Sequence, residues 1–136
     1  MKKKLNVLIA LTCLLSALYS CSDNSIYFDI NSQSVVTCNK KAIKKLHISS
    51  TDGKDFYFLS KLPKVEGTNK LSLINLSRNY LLENVNIEVS IDSFKLRPET
   101  GYKIENSTFG DAASSEIQIK TDKGGKVIYS SITSCK

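Results

Sequence analysis

Four cysteines and a single histidine are the residues with the most specific chemistry in this chain: Cys13, Cys21, Cys38, Cys135 and His47. A thiol can be acylated, oxidised to a disulfide, bound to a metal or paired with a base as a nucleophile. Two distant cysteines and one histidine make too few ligands for a metal site. His47 alternates with the apolar Leu46 and Ile48, which puts it on the polar face or at the edge of a strand rather than beside a nucleophile. No Ser-His-Asp set, glycine-rich phosphate loop or metal-ligand spacing is present in the sequence. Asp52 and Asp55 fall in a turn, where carboxylates serve turn formation and solubility. The expectation is therefore a protein that is not an enzyme, with no cofactor and no metal. Acylation and oxidation remain as cysteine chemistry.

The N-terminus makes acylation specific to one cysteine. Lys2, Lys3 and Lys4 form a positive start, and residues 5–18 are almost wholly apolar. That run has the length of a signal-peptide core and is short for a bilayer span. Leu18-Tyr19-Ser20-Cys21 follows. It resembles a lipobox, with Leu at −3, a small residue at −1 and Cys at +1; Tyr19 is bulkier than usual at −2. The resemblance implies that residues 1–20 are removed and that Cys21 carries the lipid (palmitate among its acyl chains). It also implies a bacterial cell envelope location. Ser22 rather than Asp beside the lipidated cysteine favours the outer membrane, facing the periplasm. Residues 21–25 would be the lipidated cysteine and a short tether, and 26–136 the folded domain.

The charge balance is reinterpreted once this segment is set aside. The chain has 19 Lys and Arg against 13 Asp and Glu, a net +6. Three lysines leave with residues 1–20, so the mature form carries only a small excess. That is no argument for nucleic-acid binding. Lys40, Lys41, Lys44 and Lys45 form the strongest charge feature. They read either as a solvated basic hairpin blunting an edge strand or as a contact for acidic headgroups or an acidic protein. Cys13 lies in the apolar run and Cys21 is assigned to lipid, which leaves Cys38 and Cys135 as a possible disulfide in an oxidising compartment. Closing a loop of roughly 100 residues contributes about 4–5 kcal/mol on loop-closure grounds.

The elements that must position these groups read as β-strands throughout. Runs at 26–30, 34–38, 42–50, 54–60, 71–77, 85–91, 101–106, 115–121 and 126–133 are apolar or alternating. The clearest alternation is Val85, Ile87, Val89 and Ile91 against polar neighbours, which predicts a half-buried strand. Ile117 and Ile119 repeat the pattern. Thr51-Asp52-Gly53-Lys54 and Asp122-Lys123-Gly124-Gly125 supply hairpin turns. Residues 78–84 read as no more than one helical turn. Pro63 and Gly67 mark a connection over 62–70 that crosses between sheets. Tyr57, Tyr80 and Phe94 are open between core and surface.

One stretch fixes the architecture further. Leu96-Arg97-Pro98-Glu99-Thr100-Gly101-Tyr102-Lys103-Ile104 resembles the corner before the penultimate strand of fibronectin type III domains, with Leu96, Pro98, Thr100, Tyr102 and Ile104 in register. The resemblance implies an all-β, antiparallel immunoglobulin-like sandwich. It also implies a buried Tyr102 whose hydroxyl bonds the backbone just upstream. The chain departs from that family in having no Trp and in running on through an additional strand. In layout — short anchor, early cysteine, all-β body, late cysteine — it resembles the immunity lipoproteins of bacterial type VI secretion systems. That resemblance implies a non-catalytic, membrane-anchored binding protein whose partner is a secreted toxin. The competing expectation is an accessory envelope lipoprotein for adhesion or outer-membrane assembly.

Overall fold

A computed structural model describes residues 23–108 and 114–136. Cys13, Cys21 and residues 1–20 lie outside the described residues.

The described chain forms ten strands and one short 3-10 turn. In order they are β1 (Ile26–Asp29), β2 (Ser34–Thr37), β3 (Lys45–Ser50), β4 (Phe56–Lys61), β5 (Lys70–Ser72), β6 (Tyr80–Asn84), β7 (Ile87–Val89), β8 (Gly101–Ser107), β9 (Ser115–Thr121) and β10 (Val127–Ser130), with the turn at Ile91–Ser93. They make a three-stranded sheet, β1-β2-β5, and a seven-stranded sheet, β10-β9-β8-β3-β4-β6-β7. Every pairing is antiparallel. The first, second and fifth strands share one sheet; the third, eighth and ninth lie adjacent in the other. That is the immunoglobulin-like division, with β8 and β9 as its last two strands. The β6–β7 hairpin extends one edge and β10 the other.

Alternation explains the core. Leu46, Ile48, Leu59, Leu82, Tyr102, Ile104, Ile117 and Ile119 face inward from the large sheet, and Ile26, Phe28 and Val35 meet them from the small one. Each such side chain contributes about 1.5–3 kcal/mol by leaving water. Tyr80 and Phe94 are buried in the same cluster, and Tyr57 packs edge-on against Phe94 with ring centroids 5.0 Å apart. These three aromatics are therefore core.

Two sequence expectations change. Residues 78–84 contain a strand, β6, in which Tyr80 and Leu82 point inward and Leu81 and Glu83 outward. The strand expected at 85–91 is instead a tight turn followed by the edge strand β7. Val85 and Asn86 have φ of 50° and 64° and join the pair Asn84–Ile87, the signature of a type I′ turn. Val85 and Ile87 are 63% and 68% exposed. Three strands cannot cover seven, so alternation at the edge of the wide sheet has no opposing layer. Elsewhere the expected strands shift only at their ends: 42–50 begins at Lys45, 71–77 is reduced to β5, and 126–133 shortens to β10. The connection after Lys61 does pass from the large sheet to the small one.

Candidate functional site: the two ends of the sandwich

Strand directions sort the loops into two groups. One end holds the start of β1, the β2–β3 and β4–β5 crossovers, and the tail after β10. The other holds the β3–β4, β6–β7 and β9–β10 turns and the corner before β8.

The corner end is built around Tyr102, which is wholly buried. The Arg97 backbone N–H donates to its hydroxyl at 2.7 Å, as the corner motif implies. The hydroxyl in turn donates to Asp55 Oδ2 at 2.7 Å. Arg97 completes the arrangement, its Nε donating to Asp55 and its Nη2 to Asp52, each at 2.7 Å. The turn is held by Ser50, whose hydroxyl donates to Asp52 and accepts from the Asp55 N–H. Thr100 Oγ1 donates to the Pro98 carbonyl, and its N–H donates to Thr121 Oγ1. Leu96 packs on the core beneath, and Glu99 takes the left-handed backbone at φ 48°. Hydrogen bonds from Arg97 and Ser50 hold the Asp52 carboxyl well below the usual carboxylate range. Burial pushes the Tyr102 phenol above its ordinary value. Asp52 and Asp55 are thus structural partners of Arg97 rather than solubilising turn residues. Ser50, the Lys54 backbone N–H and Arg97 donate to Asp52 Oδ1, and Arg97 and Tyr102 to Asp55 Oδ2.

The opposite end carries the disulfide and the lysines. Cys38 and Cys135 are joined, with their Cα atoms 5.6 Å apart and their positions separated by 97 in sequence. The bridge ties the end of β2 to the tail, which also accepts the Phe28 N–H at the Ile132 carbonyl. Lys40, Lys41 and Lys44 are exposed on the β2–β3 crossover, whereas Lys45 is half-buried at the start of β3. The expected basic hairpin at an edge strand is therefore a crossover between sheets, and β3 is central, lying between β8 and β4. Lys45 lies over the Phe58 ring, 5.8 Å from its centroid. The crossover is fastened along its length. Thr37 Oγ1 donates to the Lys41 carbonyl at 2.7 Å, and the Lys41 N–H donates to Asn39 Oδ1. The buried Tyr80 hydroxyl donates to the Ile43 carbonyl and accepts from the Thr68 N–H, clamping both crossovers. The Asn39 side chain donates to the Asp23 carbonyl, and the Cys38 N–H to the Ser25 carbonyl at 2.9 Å. A cleft of about 270 Å³ opens beside the bridge between Ser25, Ile26, Ser115 and Ile132.

His47 lies between the two ends, on the outer face of β3, opposite in direction to Leu46 and Ile48. It packs edge-on to Phe56 at 4.3 Å. Burial lowers its pKa, with Glu105 opposing and Lys103 adding to the shift. Its Nε2 has no hydrogen-bond partner among the described residues. No nucleophile is brought to it, and no cluster of three or more metal-ligating side chains occurs among the described residues.

Asp55 is the residue that sequence reasoning missed. Its position in the T-D-G-K-D turn was legible, but its partners Arg97 and Tyr102 lie 42 and 47 residues further along the chain. Nothing in local sequence pattern reports such a pairing. Compared with family models, with curated proteins and with solved structures, the chain matches none.

Proposed function

We propose that this chain is a lipid-anchored envelope protein that works by binding another protein and catalyses nothing, and that its partner is a toxin delivered into the periplasm. The observation that carries the reading is the order of groups at the N-terminus: three lysines, an apolar run, Leu18-Tyr19-Ser20-Cys21, and then β1 beginning at Ile26. A tether this short suits a module that acts close to the membrane. A disulfide-closed sandwich suits recognition, because the β2–β3 crossover and the corner before β8 are already fastened by hydrogen bonds before a partner arrives.

Metabolic labelling with palmitate tests the anchor. The wild-type chain should take up label and the Cys21→Ala chain should remain an unlabelled precursor; equal labelling of the two would reject acylation at Cys21. Expression in the envelope should protect cells from one cognate periplasmic toxin, and the purified chain should bind that toxin. If no toxin encoded beside the gene binds, an accessory role in envelope assembly or adhesion replaces immunity.

A further inference from the structure

We propose that the β2–β3 crossover, through Lys40, Lys41 and Lys44, rests on the anionic phospholipid headgroups of the membrane that holds the anchor. The sandwich would then stand with its disulfide end toward the bilayer and its corner end away from it. This inference rests on the reading that Cys21 is acylated, and it adds an orientation and a second, electrostatic membrane contact.

Three observations converge on it. The first is distance. The Asn39 side chain holds the Asp23 carbonyl, and the Cys38 N–H holds the Ser25 carbonyl, so the crossover is stitched to the first described residues. Asp23 is two residues from Cys21, a reach of about 7 Å even when fully extended. An acyl chain on Cys21 would therefore tether the start of the crossover, at Cys38 and Asn39, close to the bilayer, with Lys40 and Lys41 next along the chain; surface charge is felt over about one Debye length, roughly 10 Å at 0.1 M salt.

The second is charge. Lys70 and Lys103 are paired with Asp29 and Glu116, and the Lys61 ammonium donates to the Leu62 and Val65 carbonyls. Lys40, Lys41 and Lys44 are exposed and form no ion pair with any described residue. Of the acidic groups described nearby, Asp23 accepts the Ser25 N–H and keeps its charge, and Glu66 lies on the neighbouring crossover beside Lys64. Among the described residues of this end the lysines outnumber the carboxylates.

The third is order. Thr37, Asn39 and Tyr80 fix the crossover backbone, so the lysines are presented together without a cost in loop entropy. An acyl chain on Cys21 would keep headgroups beside this face at all times, whereas an acidic protein would have to reach it from solution. Lipid is therefore the occupant that this placement favours.

The test uses the full chain, matured in a bacterial envelope and purified in detergent. It is reconstituted into phosphatidylcholine vesicles with or without phosphatidylglycerol, and intact mass reports acylation of Cys21. An impermeant amine reagent then reads each lysine by mass spectrometry. Lys40, Lys41 and Lys44 should react about fivefold more slowly on the anionic vesicles than on the neutral ones, and high salt should remove the difference. Lys54, Lys123 and Lys126, at the corner end, should react alike on both. Equal rates for Lys40, Lys41 and Lys44 on the two vesicles would overturn the proposal. If intact mass shows no lipid on Cys21, the anchor reading fails by itself. The same chain is then sedimented with anionic vesicles. Sedimentation that the K40Q/K41Q/K44Q variant loses supports the lysine surface, and no sedimentation of the wild type rejects it.

Discussion

At the end where β1 begins, the sandwich is closed by a covalent bridge and by hydrogen bonds between uncharged groups, and its lysines are left facing outward. At the opposite end the charges face each other: Arg97 is shared by Asp52 and Asp55, and Asp55 also accepts a hydrogen bond from a buried phenol. The first end uses only the Lys61 ammonium to brace its own backbone and leaves Lys40, Lys41 and Lys44 exposed. The second uses Arg97, Asp52 and Asp55 to hold its own turns, so those three ions are turned inward on each other. The difference separates a surface from a joint, although both are loop clusters on the same two sheets.

The bridge should show the largest effect. Cys38→Ala and Cys135→Ala should each lower unfolding stability by about 4–5 kcal/mol on loop-closure grounds. The double variant should lose little more than either single one, since both remove one bond. Chemical denaturation of the three variants checks this, and additive losses would show that the thiols act independently. At the corner, Asp55→Ala should cost about 2–3 kcal/mol, because it strands the Tyr102 hydroxyl and one face of Arg97 together. Tyr102→Phe, which keeps the ring and its packing, should cost about 1–2 kcal/mol by leaving the Arg97 N–H and Asp55 each short of a partner. Equal stability of wild type and Tyr102→Phe would mean that the corner is held by packing alone. Val85 is the strained point of this same end, a β-branched side chain in left-handed backbone. Val85→Asn should raise stability by about 1 kcal/mol, since Asn tolerates that conformation.

The smallest effect distinguishes the ends by condition rather than by residue. Hydrogen bonds from Arg97 and Ser50 depress the folded-state pKa of Asp52 below its ordinary value of 3.8. Its contribution is therefore complete above that value and is lost as pH falls below it. The gap in Tm between wild type and Asp52→Asn should close as pH drops beneath about 3.8. The gap between wild type and Cys38→Ala should not change in that range, and should instead close when a reductant is added.

The sequence and the fold agree where a pattern is local and both of its faces are determined. The corner is legible because the spacing of Leu96, Pro98, Thr100 and Tyr102 encodes a turn and the strand that follows it. Ile117 and Ile119 were readable because β9 lies under the opposing sheet. The identical alternation at 85–91 failed: period two says that a strand has two faces, and it does not say whether a second sheet covers either one. Residues 78–84 failed in the reverse direction, since Tyr80-Leu81-Leu82 is apolar on both faces and hides its period. The cysteine pair followed from elimination among four thiols. The lysines were visible as charge, but their place beside Asp23 depends on Asn39 and on the direction of β1, and neither is a feature of composition. Asp55 needed the tertiary fold.

The bridge also has a mechanical meaning. Tension entering from the N-terminal side reaches β1 first, then β2, and arrives at Cys38 after about fifteen residues, or roughly 50 Å of extended chain. There the load divides between the crossover to β3 and the tail beyond β10, which the bridge makes a second arm. All seven strands of the large sheet lie inside that closed loop, so no further slack is released unless both arms tear at once. Pulled in an optical trap, the oxidised chain should yield one short release and then hold, whereas the reduced chain should keep lengthening. A protein stretched between a bilayer and a bound partner would thus surrender its outer strands while its central sheet stayed shut.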